Sequence, residues 1–87
     1  MYKIEVKQVD IQRGTCEEPK GCAVARALLR AGFEFDELSD GVFGYTFSAI
    51  APDGQRVHRW LPKKVAKWIE KFDEDKKSVK PFSFSIR

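Results

Sequence analysis

Between residues 62 and 72 the chain repeats apolar side chains at helical spacing: Val65, Trp68, Ile69 and Phe72 fall at i, i+3, i+4 and i+7. Lys63, Lys67 and Lys71 recur every four residues on the opposite side, so this helix has one face to bury and one cationic face for water. Pro62 suits its first position. Such a helix needs a second layer to lie on, and both ends of the chain supply one. Tyr2, Ile4 and Val6 alternate with Lys3, Glu5 and Lys7, while Phe82, Phe84 and Ile86 alternate with Ser83, Ser85 and Arg87. A period of two predicts strands with one buried face, and Pro81, which lacks an N–H, suits the start or the edge of the last one.

The middle of the chain is read from its punctuation. Asp10 to Gly21 collects Gly14, Thr15, Pro19 and Gly21, which break a strand and prepare a helix. Thr15 with Glu18 fits a capping box, whereas Pro19 fits a first helical position, and the latter start is preferred. Cys22, Ala25, Leu28 and Leu29 then share one face, Arg26 and Arg30 lie off it, and Gly32 stops the helix. Phe33 to Asp40 reads as a loop with short extended character. Val42 to Ile50 reads as one strand, with Phe43, Tyr45 and Phe47 on one face assigned to the core. Ala51-Pro52-Asp53-Gly54 is a turn into a second strand over 55–61, and Asp73 to Lys77 is a charged loop ending the lysine-faced helix.

The expectation is an α+β fold: a single domain over 1–87 with about four antiparallel strands, two helices on one face and the order βαββαβ, which a ferredoxin-like topology would satisfy. At 87 residues there is room for one core only, and 43% hydrophobic residues suffice to build it without metal or disulfide. No stretch reaches the length of a membrane span, and the charged start is unlike a signal peptide, so a cytoplasmic protein is expected. Cys16 and Cys22 are expected to be thiols, and their spacing is not that of a CxxC pair. With His58 the only histidine, no zinc set can be completed without carboxylates. No nucleophile context, phosphate loop or calcium-loop spacing is present, so neither a catalytic residue nor a cofactor is assigned and a non-enzymatic role is expected.

Charge is unevenly placed. Residues 1–54 carry six basic and nine acidic side chains, and residues 55–87 carry ten and four, for net charges of −3 and +6. The basic cluster Arg56, Arg59, Lys63, Lys64, Lys67 and Lys71 can contact phosphates or an acidic protein surface, while Glu34, Asp36, Glu37 and Asp40 form an acidic run. His58 shares a strand face with Arg56 and Trp60, and an exposed Trp60 would anchor a protein interface, where Trp and Arg dominate binding energy. The candidate partner-binding residues are therefore Arg56, His58, Arg59, Trp60, Lys63, Lys64, Lys67 and Lys71. Gly41 to Phe47 has the aromatic content of an RNA-recognition strand, but the first strand offers Lys3 and Glu5 where a stacking aromatic would be needed.

Taken in order, Asp10-Ile11-Gln12-Arg13-Gly14, Cys22-Ala23-Val24-Ala25-Arg26-Ala27-Leu28, Leu61-Pro62, Trp68-Ile69, Lys71-Phe72-Asp73 and Val79-Lys80-Pro81-Phe82-Ser83-Phe84 resemble a family of small proteins encoded by bacteriophages and prophages. The resemblance brings no settled activity and transfers no functional residue. It implies a small cytoplasmic protein of the infected cell that binds a host or phage macromolecule, with inhibition of a defence complex as the expected role. Nucleic-acid binding through the lysine stripe is the alternative.

Overall fold

The computed structural model describes residues 2–86. Its elements are β1 (Tyr2–Val6), α1 (Gln8–Arg13), α2 (Ala23–Arg30), β2 (Gly41–Phe43), β3 (Thr46–Ile50), β4 (Arg56–Trp60), α3 (Lys63–Glu74), a 3-10 turn (Lys76–Ser78) and β5 (Phe82–Ile86). The α+β class stands. The single four-stranded sheet does not, because the strands divide into an antiparallel β1-β5 pair and an antiparallel β2-β3-β4 meander. A ferredoxin-like order is therefore not formed: β1 pairs with β5 alone.

The alternation at the two chain ends is realised as expected. Ile4 and Val6 bury one face of β1, Phe84 and Ile86 that of β5, and the register sets Ile4 opposite Phe84. Two runs of aromatic contacts carry the core. Tyr2 of β1 meets Phe33 edge-on (5.1 Å between ring centroids), and Phe33 meets Phe47 of β3 (6.0 Å), which links the two sheets. Phe72 and Trp68 of α3 stack (5.6 Å), and Trp68 continues to Phe82 of β5 (4.7 Å). The Trp68 indole N–H is satisfied by the Lys80 carbonyl (2.9 Å), so the ring packs without an orphaned donor.

The short helix α1, which was not expected, overlaps the start of the 10–21 segment read as a break before the helix, and α2 begins later than predicted. Cys22, not Thr15, caps α2, its sulfur accepting the Ala25 N–H (3.4 Å), and the first helical residue is Ala23 rather than Pro19. Pro19 instead gives its carbonyl to the Val42 N–H (2.7 Å), which holds 15–22 as a looped segment along β2. The C-terminal end is as expected: Gly32 takes a φ of 102°, and the Phe33 and Gly32 N–H groups bond the Leu28 and Leu29 carbonyls in a Schellman closure. Leu29, assigned to the apolar face, is exposed, and Val24, Ala25, Ala27 and Leu28 do the packing. The predicted strand 42–50 is two strands joined through Gly44 and Tyr45, with Phe43 paired to Thr46 and Gly44 at φ 62°. Glycine at the first position of a two-residue hairpin loop is the type II′ pattern.

Candidate functional site

Two loops decide which part of the meander is open. Segment 15–22 closes the outer edge of β2 through the Pro19–Val42 bond. Segment 36–40 covers one end of the outer face, where the Asp40 N–H donates to Ser48 Oγ (2.8 Å) and buries that serine. The other end is bare. Phe43, Thr46 and Trp60 are consecutive cross-strand partners on β2, β3 and β4 and so point the same way. Trp60 is 78% exposed, Phe43 70% and Tyr45, in the adjoining turn, 55%.

The basic candidates fall into separate groups. His58 and Trp60 lie beside Thr46 and Arg59 around a shallow hollow of about 110 Å³. Arg59 and Trp60 also line a larger groove of about 500 Å³ with Leu61, Pro62, Ser85 and Ile86, where the end of β4 runs past the end of β5. Lys63 and Lys64 follow in the first turn of α3, and Lys67 and Lys71 climb away from it, Lys71 two turns or about 12 Å beyond Lys63. All four are exposed and make no ion pair among the described residues.

Arg56 belongs elsewhere. Its guanidinium makes a fork-to-fork pair with Asp36 (Nη1 to Oδ1 2.9 Å, Nη2 to Oδ2 2.5 Å), tying the acidic run to β4. The Arg56 hydrogen bond, seconded by Ser39, holds the Asp36 carboxyl well below the usual carboxylate range, so the pair is charged on both sides at neutral pH. The acidic and basic halves of the sequence are thus joined here rather than opposed.

Phe43 and Tyr45 are the site residues that the sequence reading assigned to the core. Phe47 is buried as expected, but the turn at Gly44 puts Phe43 on the face opposite to it. Gly44 within a β-rich run was the available signal.

Elsewhere, a concavity of about 200 Å³ is lined by Glu17, Glu18, Cys22, Ile69, Asp73 and neighbours. Burial pushes the Cys22 thiol up, which keeps it protonated and unreactive. The Cys16 thiol donates to the Phe72 carbonyl (3.2 Å). Among the described residues no three His, Cys, Asp or Glu side chains converge as a metal set requires, and no helix is long and apolar enough to cross a membrane. The site presents three exposed aromatic side chains, the His58 imidazole and the cations Arg59, Lys63 and Lys64. No protein-family model, curated protein or solved structure matches the chain.

Proposed function

We propose that the protein is a non-enzymatic binding module that docks another protein on the bare end of the β2-β3-β4 sheet, with Trp60 as the anchor and Phe43 and Tyr45 beside it. The carrying observation is the exposure of these three rings together on a chain that buries its other aromatics wholly or partly. Aromatic side chains offer roughly 150–250 Å² each, so the trio forms a patch of a size that marks interaction surfaces. Trp and Tyr are the residue types that carry binding energy at such surfaces. The resemblance to phage-encoded proteins supports a host or phage protein as the partner and inhibition of a defence complex as the outcome.

The test is cross-linking in a bacterial host, with a photoreactive amino acid in place of Tyr45. One discrete protein adduct is expected, and Trp60→Ala is expected to remove it. Adducts that survive Trp60→Ala, or that contain nucleic acid alone, overturn the reading. The second reading, nucleic-acid binding, is favoured by the unpaired lysines of α3. Its mark is oligonucleotide binding that persists at physiological salt, measured by fluorescence anisotropy.

A further inference from the structure

A strand at the rim of a sheet presents unpaired N–H and C=O groups that invite another strand, and folded proteins close such rims. Two small sheets give four rims here, and three have contacts. Arg30 of α2 donates to the Glu5 carbonyl of β1 (2.9 Å), Pro19 accepts from Val42 of β2 (2.7 Å), and α3 approaches β5, where the Lys64 ammonium reaches the Ser83 carbonyl (3.5 Å). The rim of β4 has no such cover among the described residues.

Its hydrogen-bonding register is readable. The Leu61 N–H bonds the Tyr45 carbonyl (2.7 Å) and the Ala51 N–H bonds the Gln55 carbonyl (2.8 Å), so odd-numbered positions turn their backbone toward β3. By the alternation of an antiparallel ladder, the backbone groups of Arg56, His58 and Trp60 point outward. One of these is in use: the Arg59 guanidinium donates to the His58 carbonyl (3.2 Å) and would swing aside for a better acceptor.

Resting on the reading of the protein as a binding module, we infer that β4 takes an extended acidic segment of the partner as the fourth strand of the β2-β3-β4 sheet. Strand addition of this kind draws affinity from main-chain bonds and specificity from alternate side chains. Charge selects the occupant. Arg59 lies on the rim, Lys63 and Lys64 lie just past its end, and among the described residues none of the three has an ion pair and no carboxylate lines the adjoining groove. An acidic strand neutralises those cations. Alternation places the incoming residues of one face beside Trp60 and His58 and those of the other beside Arg59, which matches a segment alternating apolar and acidic residues.

The probe is a capped ten-residue peptide alternating valine and glutamate, titrated into the intact isotope-labelled chain and followed by NMR and amide hydrogen exchange. The amides of Arg56, His58 and Trp60 are expected to exchange rapidly in the free protein and to slow by roughly tenfold or more when the peptide saturates it. His58→Pro, which deletes an outward N–H that the fold does not use, is expected to weaken the peptide by roughly tenfold more than His58→Ala, which loses the same imidazole but keeps that N–H. A valine–lysine peptide is expected not to bind. Unchanged exchange at the three amides under saturating peptide overturns the inference, as does equal binding of the lysine peptide. Protection that rises with protein concentration alone overturns it in favour of a second copy. The exchange measurement on the unsubstituted chain decides the matter even where the proline variant is unstable. A Tyr45 cross-link that is lost in Trp60→Ala but kept in His58→Pro retains the binding module and removes strand addition from it.

Discussion

Asp10 is a carboxylate with no exposed surface, held by the Arg30 guanidinium (Nη1 to Oδ1 2.7 Å, with Nη2 on Oδ2), by the Lys7 N–H (2.8 Å) and more distantly by Arg26 (3.9 Å). It caps α1 and latches that helix to α2 at once. Burial, the largest single influence, pushes its carboxyl up, but the Arg30 and Lys7 bonds and the two guanidinium charges together hold it below its ordinary value. Such a group contributes stability that is present above the unfolded-chain value of 3.8 and is lost as pH falls from there through the depressed folded value. Asp10→Asn is therefore expected to flatten the acid limb of a urea-midpoint profile between neutral pH and the acid range. Asp10→Ala is expected to cost about 3 kcal/mol at pH 7, the low end for a broken buried pair, because Arg30 keeps water on one side. Gly14, four residues on, has no room for a side chain: a Cβ would sit 2.6 Å from the Asp10 carbonyl oxygen and 2.7 Å from the Ala23 nitrogen. The run from Asp10 to Gly14 thus helps to join α1 to α2. Nothing in one dimension distinguishes a buried, paired aspartate from a surface one, so the sequence reading saw the motif without its purpose.

At the scale of elements, what was legible depended on whether the signal was local. The alternations of β1 and β5, the face of α3, the Gly32 stop and the Pro52–Gly54 turn are local patterns, and each formed. The start of α2 was not, because Pro19 is recruited by a distant strand and the cap falls to a cysteine, an unusual capping residue. α1 is six residues, too short to show a period, and its C-terminal carbonyls are closed from far away by Lys76, which reaches Gln12 and Gly14 (2.9 and 3.0 Å). The β2-β3 hairpin was hidden because residues on both sides of Gly44 favour strands. Its placement gives a sharp contrast in denaturation experiments. Phe47→Ala is expected to cost about 3–5 kcal/mol, as for other buried phenylalanines, while Trp60→Ala, at an exposed site, stays within about 0.5 kcal/mol. Gly44→Val, forced to a φ of 62° with open space around it, is penalised by conformation alone, about 1–3 kcal/mol.

For the molecule as a whole, alternation says which face a strand buries but not which strand it pairs with, and so the α+β class was legible while the division into two sheets was not. The same holds for charge. The −3 and +6 halves of the sequence are joined in space by the Asp36–Arg56 pair, while the exposed lysines of α3 and Arg59 form a cationic surface next to the β4 rim. Whether binding reads the field of the molecule or one patch of it is decidable with two double variants. Arg59→Glu with Lys63→Glu, and Lys67→Glu with Lys71→Glu, each lower the net charge from +3 to −1. They differ only in place, because the second pair begins a helical turn beyond Lys63 and ends about 12 Å from it, comparable to the screening length of about 8–10 Å at physiological salt. Acidic-peptide affinity is expected to fall by roughly tenfold or more in the first variant and by less than about threefold in the second, with both chains unfolding at urea midpoints close to the parent. Equal losses would assign the attraction to net charge and remove the β4 rim as its location. For an oligonucleotide the order reverses, since phosphates spaced along the stripe need Lys67 and Lys71; an anisotropy titration of the same two variants therefore separates the protein-binding reading from the nucleic-acid one by which variant fails.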